Sequence, residues 1–148
     1  MGVITDLINR LFARTPRRHT TGYGGLYAAI VARLGEVSVT GVKIGSTAGY
    51  PRIEVHTIQE SDRLDKEGCV RRVSLTVESM SNVALSQAVD MNDEAMSLLT
   101  GEAIDPGEGW ICFGVVPTLL QDLTETADSQ KIIYRLLQQY DFWLSREK

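Results

Sequence analysis

Apolar and polar residues alternate along this chain with two different periods, and the switches between them mark out its elements. Residues 3–13 carry Ile4, Leu7, Ile8, Leu11 and Phe12 at helical spacing, with Asp6, Asn9 and Arg10 turned away. This predicts a short amphipathic helix. The stretch from Arg14 to His19 ends it, because Pro16 cannot sit in a helix interior and the arginines call for solvent. A helix this short is marginal alone, so its stripe must dock on its own domain or on a partner. A second helical pattern runs from Gly22 to Leu34. It places Tyr23, Leu26, Tyr27, Ile30, Val31 and Leu34 on one side, with Gly35 as the stop. Val37 to Ile44 predicts a short strand, and Gly45 to Gly49 a loop.

A period of two takes over at Tyr50. From Tyr50 to Ile58, Ile53 and Val55 point one way while Arg52, Glu54 and His56 point the other, and Pro51 suits the first strand position. From Cys69 to Ser79, Val73, Leu75 and Val77 oppose Arg72, Ser74, Thr76 and Glu78. The charged segment from Glu60 to Gly68 joins these two runs into a hairpin with a long tip, in which Leu64 is a lone apolar residue. Ser81 or Asn82 then caps a helix running to about Leu99 and stopped by Thr100 and Gly101. Its stripe is Leu85, Ala88, Val89, Asn92, Ala95, Met96 and Leu99. A turn-rich loop covers 103–109. Trp110 to Val116 predicts a buried strand ended by Pro117, followed by a polar, acidic connector from Thr118 to Gln130.

The final stretch, Lys131 to Ser145, fits both periods. As a strand it aligns Ile132, Tyr134, Leu136, Gln138, Tyr140, Phe142 and Leu144; as a helix it aligns Ile132, Ile133, Leu136, Leu137, Tyr140 and Leu144. The hairpin and the Trp110 strand need antiparallel partners, which favours the strand. The elements together predict an α+β fold: an antiparallel sheet of about four to five strands packed by two helices, plus the extra N-terminal amphipathic helix. Residues 1–19 form that helix and its basic linker, and residues 20–148 a single domain.

Composition narrows the class. With 148 residues, 43% apolar and 23% charged, the chain matches an ordinary one-domain globular protein. No apolar run approaches the roughly 20 residues that span a bilayer. The first residues are too polar for a secretory signal, and Gly2 lacks the downstream Ser or Thr of a myristoylation site. Cys69 and Cys112 read most simply as reduced thiols. The net charge is −4, yet Val83 to Gln130 holds nine acidic residues and no Lys or Arg. Two readings stand: a solvated acidic face, or a bipolar subunit whose basic end meets a neighbour's acidic end. No basic stripe interleaved with aromatics marks a nucleic-acid site.

Reactive chemistry finds no foothold in the spacing. His19 and His56 are the only histidines, and neither pairs with Cys or His at ligand spacing. Ser46 lies in a glycine-flanked loop that is no nucleophile elbow. Asp93 with Glu94, and Asp62 with Asp65, are adjacent or loop carboxylates rather than a catalytic pair. The expectation is no catalytic residue, no cofactor and no metal.

The succession LYAAIVARL, YPRIEVHTIQ, VRRVSLTVES, ALSQAVDMNDEAMSLLTG, WICFGVV and KIIYRLLQQYDFWLS resembles the tail terminator, or tail-completion, proteins of long-tailed bacteriophages and related prophages. The likeness spans Gly25 to Ser145, including a long last strand with aromatics such as Tyr140 and Phe142. The N-terminal helix and the acidic segment 116–130 depart from the pattern and leave the register of the last two strands open. The resemblance implies a non-enzymatic structural protein of the virion tail, made in the bacterial host cytoplasm. It implies a ring, commonly a hexamer, that caps the tail tube, ends its polymerisation and joins the head–tail connector protein. Its partners would be other copies of itself, the tail tube protein, the connector, and DNA passing through the lumen without specific binding; no membrane is involved. Within that frame Leu7, Leu11, Phe12, Asp62, Arg63, Leu64 and Asp65 are candidate contacts, and Asp90, Asp93 and Glu94 candidate lumen residues. A non-catalytic ligand- or peptide-binding module, using the 60–68 tip and the Trp110 strand, is the alternative. An enzyme with a dispersed site is a further one.

Overall fold

The computed structural model describes residues 22–45, 49–60, 69–126 and 131–146. They form α1 (Tyr23–Leu34), β1 (Lys43–Ile44), β2 (Arg52–Glu60), β3 (Val70–Ser81), α2 (Leu85–Gly101), β4 (Trp110–Asp122), β5 (Glu125–Thr126) and β6 (Ile132–Arg146). The fold is α+β. The sheet order is β1-β2-β3-β6-β4, with β5 also pairing β6. The β1–β2 pair is parallel and the other pairs are antiparallel.

The ambiguous final stretch is a strand, and it lies inside the sheet between β3 and the edge strand β4. β6 pairs β3 from Ser81↔Tyr134 to Val70↔Ser145, and β4 from Asp122↔Leu136 to Trp110↔Arg146. A period-two pattern wins because both neighbours then share one apolar face. Leu136, Gln138, Tyr140, Phe142 and Leu144 are all buried, while residues between them are half-exposed. Gln138 survives there because its amide donates to the Leu119 carbonyl at 3.1 Å and the Gln139 carbonyl at 3.2 Å. Ile132, at the hairpin end, has the same parity yet is exposed, and Ile133 is buried instead.

The apolar face of the sheet is completed by Ile53 and Val55 of β2 and by Val73, Leu75 and Val77 of β3. Both helices cover it. α1 contributes Leu26, Ile30 and Leu34, all fully buried, while Tyr23, Tyr27 and Val31 pack partly buried beside them. α2 contributes Ala88, Met91, Asn92, Ala95 and Leu99. The expected stripe was rotated: Leu85 and Val89 are exposed and Met91 is buried. Full burial of a side chain such as Leu or Phe is worth ~1.5–3 kcal/mol, so this layer supplies most of the driving force.

The helices are tied together at their ends. α2 has no basic residue in its last turn. Arg33 of α1 donates instead to the carbonyls of Leu98 at 3.1 Å and Ala103 at 2.9 Å. A cation there satisfies carbonyls at the negative end of the helix dipole. At the other end of α2, Ser81 acts from the end of β3, four residues before the helix. Its hydroxyl accepts the Val83 and Ala84 N–H groups and donates to Gln87 at 2.6 Å. α1 also sits close to the 103–109 loop, where a Cβ at Gly25 would overlap the Pro106 carbonyl oxygen.

Two expectations fail in informative ways. The predicted strand between Val37 and Ile44 shrinks to Lys43–Ile44. The predicted stop at Pro117 and the connector from Thr118 are replaced by strand: β4 runs through Pro117 to Asp122, and β5 follows. Proline fits because β4 is an edge strand with an irregular register at that point. Register shifts between Cys112 and Gly114 and between Pro117 and Leu120 each insert one extra residue.

Candidate assembly surface

β4 was expected to be buried and is the most solvent-exposed long strand among the described residues. Trp110 is buried and Cys112 and Val115 pack partly against the core. Ile111 is 59% exposed, Phe113 58%, Leu120 52%, and Val116 and Leu119 48% each. Leu123 and Ile132 extend this apolar strip to the end of the hairpin. The two bulges explain why it was missed. Each advances the strand by one residue, so Cys112, Val115, Pro117 and Leu120 share the core-side parity although their spacing is uneven. Leu120 shares that parity and remains open. The proline inside an apolar run was the readable sign of an edge.

One side of β4 pairs with β6, and its other side has no strand partner among the described residues. Free edge hydrogen-bonding groups next to exposed apolar side chains favour a second chain. Phe113 lies 6.4 Å from the Trp143 ring on the face away from the helices. Acidic groups flank the strip's far end. There Asp122 accepts hydrogen bonds from the Thr124 hydroxyl and N–H, which hold its carboxyl below the ordinary range. Burial pushes the Cys112 thiol up, only partly offset by a hydrogen bond to Gly114, and Cys69 and Cys112 are both free.

The sequence-predicted residues divide sharply. Asp90, Asp93 and Glu94 come together on α2, where with Ser38, Val39 and Ser97 they line an open cleft of about 430 Å³. Asp90 and Asp93 are exposed. Glu94 is committed: it accepts the Ser38 N–H at 3.1 Å and the Ser38 hydroxyl at 2.5 Å. Leu7, Leu11, Phe12, Asp62, Arg63, Leu64 and Asp65 lie outside the described residues.

A third feature occupies the sheet face turned away from the helices. Glu54 and Glu78 are direct cross-strand partners, and His56 lies two residues along β2 on the same side. His56 Nε2 is 3.1 Å from Glu54 Oε2 and 3.2 Å from Glu78 Oε2. Arg52 approaches Glu54 Oε1 at 3.0 Å, as an ion pair without hydrogen-bond alignment. Arg135 of β6 binds Glu78 Oε1 and reaches Glu125 at 3.2 Å. Hydrogen bonding to Glu78 raises the Arg135 guanidinium above its usual value, against a smaller opposing effect of burial. Glu78 is buried, with 3% of its surface exposed, so these partners are what make a carboxylate tolerable there. The sequence placed Glu54 and His56 on one face; only the hairpin register brings Glu78 to them.

No family model matches the sequence, and no curated protein matches it. A solved structure does. The chain is similar to a chain of the "Virion of native gene transfer agent (GTA) particle", with a TM-score of 0.67. Identity is 14%, and the alignment covers 83% of this chain and 96% of that one. The fold is similar to that of a virion chain. Nearly the whole of that chain finds its counterpart here, so the likeness is to a complete domain and not to a shared hairpin. No helix among the described residues is long and apolar enough to cross a membrane.

Proposed function

We propose that this chain is a non-catalytic structural subunit of a phage-type virion, and within it a tail terminator. In this reading copies assemble into a ring, a hexamer in the simplest case. The ring caps the tail tube, ends its polymerisation and receives the head–tail connector protein. The observation that carries the proposal is the exposed apolar strip of β4 on a fold shared with a virion chain. In a monomer about half of the surface of Ile111, Phe113, Val116 and Leu120 stays in water, whereas a head-to-tail neighbour would bury it.

The charge distribution supports the same reading. Asp90 and Asp93 stand free on α2, and acidic side chains along a channel repel DNA phosphates during passage. Glu94 is occupied with Ser38 and contributes less. The amphipathic stripe of Leu7, Leu11 and Phe12, and the Asp62 to Asp65 tip, are further proposed contacts with neighbouring copies or with the tube.

Light scattering and negative-stain imaging of the purified chain test the ring. Rings that dissociate to monomers in Leu120→Lys and Val116→Lys variants are the expected result. A strictly monomeric parent that also ignores tail tubes would sink the assembly reading. The lumen role is tested separately with Asp90→Asn and Asp93→Asn. Intact rings with slowed DNA delivery are expected, and unchanged delivery refutes the role.

A further inference from the structure

We propose that Glu54, His56 and Glu78 form a binding site for one divalent transition-metal ion of the zinc class. The inference is independent of the assembly reading. The three ligand atoms lie within 4.8 Å of one another. Two of their separations, 3.1 and 3.2 Å from His56 Nε2 to Glu54 Oε2 and Glu78 Oε2, are set by the cross-strand pairing of β2 and β3. Ligands about 2.0–2.1 Å from a tetrahedral Zn²⁺ are about 3.3–3.4 Å apart, so the two His56 separations need only a slight opening, and the two carboxylate oxygens, within 4.8 Å of each other, adjust through their side chains.

The surrounding groups act as an orienting shell. Each carboxylate gives one oxygen to an arginine, Oε1 of Glu54 to Arg52 and Oε1 of Glu78 to Arg135. The second oxygen of each converges on the same imidazole nitrogen. A single N–H can align well with only one of them. The other is left facing a like charge, and like charges directly opposite on paired strands destabilise a sheet. A metal ion bound to all three atoms removes that conflict, and the arginines then hold the carboxylates in position as outer partners.

A nitrogen ligand with two carboxylates suits Zn²⁺ and similar ions better than Ca²⁺ or Mg²⁺, which take oxygen ligands alone. Glu78 closes the site from within, while the His56 side chain is 45% exposed. The remaining coordination position therefore opens to solvent and holds water. Bound metal links β2 to β3 through side chains on the face that no helix covers.

Calorimetric titration of the full chain with ZnCl₂ alone tests the site, with thermal unfolding as a second readout. One equivalent bound by the parent and by His19→Ala is expected, with a rise in Tm. His56→Ala and Glu54→Gln should each weaken binding at least about tenfold and lose the Tm rise, with an unchanged circular dichroism spectrum. His56 is exposed, so its variant folds. Absence of saturable binding to the parent overturns the proposal, as does equal binding by parent and His56→Ala.

Discussion

β4 and β6 are the two arms of one hairpin, and both are rich in apolar residues, yet they serve opposite ends. β6 lies between β3 and β4 and buries Tyr140, Phe142 and Leu144 completely. β4 lies at the sheet edge and leaves Ile111, Phe113 and Leu120 more than half exposed. Apolar content alone therefore does not distinguish a residue that holds the fold from one left open to solvent. Position in the strand order does.

Substitutions can break or sharpen that contrast. Phe142→Ala should cost about 3–5 kcal/mol of unfolding free energy, because it empties a fully buried ring site in the central strand. Denaturant titration measures this. A loss below about 1 kcal/mol would mean that β6 is not the core it looks like. On the other face of the same strand, Arg135→Met removes the guanidinium from the buried Glu78 carboxylate and should cost about 1–3 kcal/mol. His56 partly compensates.

Tyr140→Phe separates packing from polarity within β6. The Tyr140 hydroxyl is buried and has no hydrogen-bond partner among the described residues. The substitution should be neutral or stabilising by up to about 1 kcal/mol. Burial, and secondarily the Asp93 charge, raise this hydroxyl above the ordinary tyrosine value of 10.0. A raised folded value means its contribution is intact below pH 10.0 and is lost as pH rises beyond it. The parent should therefore lose stability above that pH more steeply than Tyr140→Phe, as followed by denaturant midpoints across the alkaline range. Phe113→Ala on β4 completes the series with the smallest effect, within about 0.5 kcal/mol. A large loss there would show that the β4 strip belongs to the monomer's own core.

Much of this architecture was legible in the amino-acid order. The β2–β3 hairpin followed from strict alternation, and α1 from Leu26, Ile30 and Leu34. β6 became readable once its neighbours were seen to need partners. β4 was not legible past Pro117, because the proline reads as a stop and the bulge between Pro117 and Leu120 shifts the alternation. The α2 stripe was read correctly at Ala88, Asn92, Ala95 and Leu99 but not at its edges: Met91 is buried, while Leu85 and Val89 are exposed. Of the candidate contacts, the acidic trio does gather on one helix, but Glu94 is already used. The apolar strip and the Glu54–His56–Glu78 cluster depend on register, which sequence periodicity does not carry.

β6, the strand between β3 and β4 in the sheet, follows both of them in chain order. A ribosome delivers residues from the N-terminus onward, so β3 and β4 emerge before the strand that joins them. Until β6 arrives, the hairpin β2–β3 has an open flank and β4 has no partner at all. β6 pairs with both along nearly its full length. Its pairing with β4 is that of a hairpin, whereas its pairing with β3 joins segments distant in sequence, so an incomplete chain leaves the β3 flank exposed. Truncated chains that stop before Ile132 should thus yield aggregates rather than a smaller domain, a quality check built into the order of synthesis.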